Sequence, residues 1–111
     1  MIELVVLNYL RSKGFRAFME IPENLPSYPF VTIEKTGSSK RDMIETSTFA
    51  IQSYGETMYD AAVLNSQIKK SMEKAVEVDD ITKVTINSDY NYTDTDTKRY
   101  RYQAVFDITH Y

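Results

Sequence analysis

The side chains able to do chemistry are few in this sequence, and they are scattered. His110 is the only histidine, and there is no cysteine. Thiolate nucleophiles, cysteine-ligated zinc and disulfide staples are therefore excluded. Glu34, Glu45, Asp60 and Asp107 fall on separate stretches, and no spacing forces two of them into one acid–base site. Asp89, Asn91, Asp94 and Asp96 have the alternation of a calcium loop. However, Thr93 takes the third ligand position, Asp94 stands where glycine is required, and Tyr100 replaces the bidentate glutamate. A solvated turn is expected there. Asn91-Tyr92-Thr93 spells a glycosylation sequon. The first residues are short of a secretory leader, since they carry Glu3 and no basic opening, so the sequon is expected to stay unused. Gly37-Ser38-Ser39-Lys40-Arg41 lacks the Lys-Ser/Thr ending and following helix of a phosphate cradle. Lys98, Arg99 and Arg101 beside Tyr90, Tyr92, Tyr100 and Tyr102 have the composition of a single-strand nucleic-acid platform. Alternation instead places Tyr100 and Tyr102 on one face with Phe106 and Ile108, which predicts core or interface tyrosines. The reading is a protein with no catalytic site, no metal and no cofactor.

The elements that carry these residues follow from periodicity. The chain has 111 residues, 42% hydrophobic and 26% charged, with a formal net charge of −3. One domain over residues 1–111 is expected, with roughly two thirds of its unfolded surface buried. The acidic balance argues against a general attraction to nucleic acid. No segment reaches the roughly 20 apolar residues of a membrane span, and a soluble intracellular protein is expected. Ile2, Val5, Val6, Tyr9 and Leu10 form a helical stripe that Gly14 stops. Leu4 and Leu7 lie outside it and widen the apolar arc. Residues 15–21 read as a strand. Pro22, Pro26 and Pro29 then mark an ordered loop or edge segment.

Residues 30–35 read as a strand of β-branched and aromatic residues, interrupted by a charged loop over 37–45 and resumed at 47–54. The loop is expected to project beyond the sheet. Thr57 with Asp60 resembles a capping box. From Met58 through Ala61, Ala62, Leu64, Ile68, Met72, Ala75 and Val76 the apolar residues repeat at three and four, predicting a long helix. Val84 and Ile86 begin a fourth strand, which can run to Tyr92. Residues 93–97 suit a turn, and the last strand alternates Tyr100, Tyr102, Ala104, Phe106 and Ile108 against Arg99, Arg101, Gln103, Asp107 and Thr109. The expected fold is α+β, an antiparallel sheet of about four to five strands with two helices packed on one face. Apolar and tyrosine positions on the first helix and terminal hairpin exceed what a small core needs, which fits association with copies of itself.

The pattern resembles the tail terminator or head–tail joining family of long-tailed bacteriophages. The resemblance is carried by the short N-terminal helix, Glu20-Ile21-Pro22, Pro29-Phe30-Val31-Thr32-Ile33, Gly37 and its polar loop, Phe49-Ala50-Ile51-Gln52-Ser53-Tyr54-Gly55, and Ala61-Ala62 in the long helix. Many relatives carry a glycine pair where this chain has Gly37-Ser38. The resemblance implies a ring-forming structural subunit, often hexameric, that caps the tail tube and meets the head connector. It implies three partners: the protein itself, the tail-tube protein and a connector or neck protein. Nucleic acid would be met only as DNA passing through the ring. The resemblance also implies assembly in the host cytoplasm and a final place in the virion. The surfaces expected to serve as interface are Gly37, Lys40, Arg41, Met43 and Ile44 in the loop, with Tyr100 and Tyr102 in the terminal hairpin. The alternatives are another phage neck or tail-tube component, or a small α+β nucleic-acid-binding module.

Overall fold

The computed structural model describes residues 1–111. Helix α1 (Ile2–Ser12) buries Ile2, Val6, Leu7, Tyr9 and Leu10. Leu7 thus joins the core while Leu4 remains exposed, so the wide apolar arc mainly seats the helix more deeply. The chain leaves α1 through Gly14, whose φ of +92° lies in the left-handed region open to glycine. The strand expected over residues 15–21 shrinks to β1 (Ala17–Phe18). It pairs in parallel, with Ala17 opposite Val31 and Phe18 opposite Thr32. The proline-rich segment folds back and ends it. There the Arg16 guanidinium donates to the Ser27 carbonyl at 2.9 Å, and Phe18 meets Phe30 edge-on with ring centroids 6.3 Å apart.

Strands β2 (Phe30–Arg41) and β3 (Ile44–Tyr54) correct the reading of residues 37–45 as a loop. The two strands pair from Phe30 opposite Tyr54 out to Arg41 opposite Ile44. Only Asp42 and Met43 make the turn, with φ of +50° and +69°. Positive φ at both positions is the geometry of a type I′ hairpin turn, whose twist matches that of the flanking strands. Asp-Met lacks the glycine that normally announces such a turn, and Ser, Lys and Arg side chains look like loop composition. Pairing with β3 is what makes the segment a strand. The register shifts between Lys35 and Gly37, so Thr36 sits in a bulge.

Thr57 caps α2 (Met58–Glu73), its hydroxyl accepting from the Asp60 N–H at 3.1 Å. Ala61, Leu64, Asn65, Ile68 and Met72 face inward. The helix tightens into a 3-10 turn over Ala75–Glu77. That change of pitch keeps Ala75 buried and turns Val76 outward, ending the apolar stripe before Val76. Strands β4 (Ile81–Asn91) and β5 (Arg101–His110) form the terminal hairpin. Their connection is a polar turn in which Asn91 and Asp94 carboxamide and carboxylate oxygens accept from the Thr93 and Asp96 N–H groups. Tyr100 precedes β5 rather than opening it.

The five strands form one sheet in the order β1-β2-β3-β5-β4. All neighbours are antiparallel except β1 and β2, so the fold is α+β with a mixed, mostly antiparallel sheet. Both helices pack on one face, where Val6, Leu10, Ile33, Phe49, Ile51, Leu64, Ile68, Met72, Phe106 and Ile108 make one cluster. The Tyr9 hydroxyl donates to the Ser71 carbonyl at 2.6 Å and ties α1 to α2. Burial, with the Glu77 carboxylate nearby, pushes the Tyr9 pKa up.

Candidate functional site

The expected interface residues separate into two groups. Gly37, Lys40, Arg41, Met43 and Ile44 all lie on the distal part of the β2–β3 hairpin. From Glu34 to Arg41 every residue of β2 is exposed, and Met43 at the tip is 84% exposed. This arm reaches past the sheet only at residues 41–44, because β3 stays paired with β5 out to Glu45 opposite His110. Lys40 and Arg41 form none of the protein's salt bridges. Tyr102 lies at the other end of the sheet, opposite Ser53 and Asn91, whereas Lys40 lies level with Glu45, His110 and Ile81. Tyr100 and Tyr102 are half-buried, and the Tyr100 carbonyl accepts from the Gly55 N–H at 3.2 Å. These two tyrosines secure the start of β5 to the β3–α2 junction and do not extend the arm surface.

Sequence reading overlooked a cluster near the tip of the β2–β3 hairpin. His110 is 3% exposed. Its Nε2 lies 2.8 Å from the Ser47 hydroxyl and 3.5 Å from a Glu45 carboxylate oxygen, and its Nδ1 lies 3.0 Å from the Tyr111 carbonyl. An Nδ1–H that donates to Tyr111 leaves Nε2 to accept from Ser47. The residue types are those of a hydrolytic triad, but the wiring is different. Serine and carboxylate meet the same ring nitrogen, and Ser47 is fully buried, so neither an oriented base nor a reachable nucleophile results. The cluster ties the turn end of β3 to the C-terminal strand. Its members are 63 residues apart for Ser47 and His110, a separation that no local motif reports. No three His, Asp or Glu side chains converge as a metal site.

The sheet face away from the helices is polar and internally bonded. The Thr32 hydroxyl donates to Gln52 at 2.5 Å, Gln52 donates to Gln103 at 2.6 Å, and Gln103 donates to the Tyr90 hydroxyl, crossing four strands. Thr48 and Asn87 both donate to Asp107, at 2.7 and 3.1 Å. Arg101 lies 4.5 Å from the Tyr92 ring centroid and 5.9 Å from that of Tyr54. It also donates to the Tyr92 carbonyl at 2.7 Å and the Tyr54 hydroxyl at 3.2 Å. Its cation is spent inside the fold, which removes the best-placed basic group from a nucleic-acid platform. Alternation could have placed Gln52, Gln103 and Tyr90 on one face; their bonding needed the register.

Three other groups titrate away from their ordinary values. A backbone hydrogen bond at the start of α1, followed by Lys35, holds Glu3 below the usual carboxylate range. Glu77, 2.7 Å away, raises Lys13. Bonds from Thr97 and Asp96 lower Asp94. Each belongs to a surface contact or turn; Lys13 also lines an open cleft, where its ionisable neighbours are the cations Arg16 and Lys70. No family model matches the chain, and no curated protein matches it.

Proposed function

We propose that this chain is a structural, non-catalytic subunit of a long-tailed phage or prophage virion, forming a ring that terminates the tail tube and joins it to the head connector. The observation that supports this reading best is the exposed outer half of β2 with its turn. A 111-residue chain leaves residues 34–43 exposed along the sheet edge and its turn, with unpaired edge backbone, two cations without acidic partners and an unsupported methionine. Ordering such a segment costs conformational entropy without much burial in the isolated subunit. Contact with a neighbour would supply the missing burial. The partners are further copies of the chain, the tail-tube protein and the connector, and the place of action is the head–tail interface after assembly in the host cytoplasm. The mechanism is geometric. One ring face stops further tube addition, and the other presents a docking surface to the neck.

Electron microscopy of the purified protein, alone and mixed with tail tubes, tests the reading. Rings of uniform diameter seated on tube ends are expected. A monomer indifferent to tubes would overturn it, and salt-dependent retention on DNA by that monomer would favour the nucleic-acid alternative.

A further inference from the structure

We propose that copies of this chain join edge to edge, the outer edge of β2 in one copy pairing antiparallel with the outer edge of β4 in the next. Lys40 and Arg41 of the first copy then face Asp79 and Asp80 of the second. The inference rests on the ring reading and specifies its subunit contact.

The sheet has two open edges. β1 pairs only with Val31 and Thr32, so no strand lies outside β2 from Ile33 to Arg41. β4 is the last strand on the other side and has no outer neighbour. Each edge presents backbone N–H and C=O groups able to accept another strand. Their directions are complementary. Three successive antiparallel pairings separate β2 from β4, so the two edge strands run in opposite directions within one copy. Placing the β4 edge of the next copy against β2 therefore continues the antiparallel sheet. Such a contact joins two different edges, and a contact of that kind closes into a ring when the rotation between copies allows it.

The spans match as well. Lys40, Glu45, His110 and Ile81 lie in one row across the sheet, while Val31, Ser53, Tyr102 and Asn91 lie in another. Carried across the boundary without a shift, the free edge of β2 from Ile33 to Lys40 covers β4 from Asp89 back to Ile81. Charge then favours this register. Lys40 and Arg41 arrive beside the residues that immediately precede Ile81, which are Asp79 and Asp80. All four are exposed, and none takes part in a salt bridge within the subunit. Two consecutive cations facing two consecutive carboxylates also tolerate a slip of one residue. A symmetric β2–β2 contact is the competing arrangement, and it leaves Asp79 and Asp80 unused.

The test is a charge swap read by native mass measurement and electron microscopy. One variant carries Lys40→Glu with Arg41→Glu, a second carries Asp79→Lys with Asp80→Lys, and a third carries all four changes. Circular dichroism and thermal melting confirm folding, which these exposed positions should leave intact. Wild-type rings are expected. Each two-residue variant should need about tenfold more protein, or higher, to assemble, and the fourfold variant should recover assembly. Rings unaffected by either reversal, or reversals not rescued by the fourfold variant, would overturn the edge pairing while leaving the ring reading standing. Wild-type protein that stays monomeric both alone and with tail tubes would overturn both.

Discussion

Replacing Gly55 with alanine should destabilise the fold, and the same change at Gly37 should not. Gly55 is buried where β3 hands over to α2. A Cβ built there would lie 2.5 Å from the Ala61 backbone nitrogen, 2.8 Å from the Asp60 carbonyl carbon and 2.9 Å from the Asp60 Cβ. Ordinary contact begins at 3.4 Å, and two of the three obstructing atoms are backbone in the first turn of α2. They cannot move aside by a rotamer change. The helix start would have to shift, straining the Thr57 cap and the Gly55 N–H bond to Tyr100. Overpacking of this kind costs about 1–3 kcal/mol, and a lost cap adds roughly 1 kcal/mol. For a domain of this size, 2 kcal/mol corresponds to a fall in melting temperature of roughly 10 °C. At Gly37 an added Cβ meets nothing within 4 Å, and restricting the unfolded chain should make Gly37→Ala neutral or stabilising by up to about 1 kcal/mol. Urea unfolding of both variants, followed by circular dichroism, checks the pair. Equal midpoints would refute the close approach between the β3–α2 junction and the helix start.

Other perturbations follow from the same packing. Leu64→Ala should cost about 2–5 kcal/mol, since the side chain faces the core, whereas Lys70→Ala on the outer face should stay within about 0.5 kcal/mol; comparable urea midpoints would contradict the assignment of helix faces. Ser53 is fully buried and its hydroxyl has no hydrogen-bond partner, so Ser53→Ala should raise stability by about 1 kcal/mol, and a loss in chemical denaturation would mean that the hydroxyl is satisfied. Glu3 titrates below its ordinary value of 4.5 when folded, so its contribution is present above pH 4.5 and is lost as the pH falls through the lowered folded value. Melting temperature plotted between pH 3 and 7 should therefore fall less steeply at the acid end for Glu3→Gln than for wild type; parallel curves would count against the Glu3 contacts.

Much of the fold is legible residue by residue. The three-and-four spacing of Leu64, Ile68 and Met72 specifies α2, and Thr57 marks its start before any packing is known. The alternation of Ala104, Phe106 and Ile108 specifies the buried side of β5. Asn91 and Asp94 specify the turn that precedes it, because their side chains bond backbone groups two residues on. These signals are local. Each depends on neighbours within one helical turn or one strand pleat.

Pairing across the chain is different. Gly37, Lys40 and Arg41 have side chains that suit a loop, and only alignment with β3 makes their backbone a strand and drives Asp42 and Met43 to positive φ. Phe15 and Ile21 read as parts of one strand, yet closure of the proline segment leaves only Ala17 and Phe18 in the sheet. Lys69 and Asp89 lie on separate elements, and only the register of β4 brings them within 3.3 Å. His110 looks like a free terminal residue until the β3–β5 register sets it beside Ser47 and Glu45. Outside the β2–β3 hairpin, the deciding energy is burial and hydrogen bonding between residues far apart in sequence. Such contacts form only once the whole sheet has closed, so tertiary structure alone settles which edges, charges and side chains remain free for a partner.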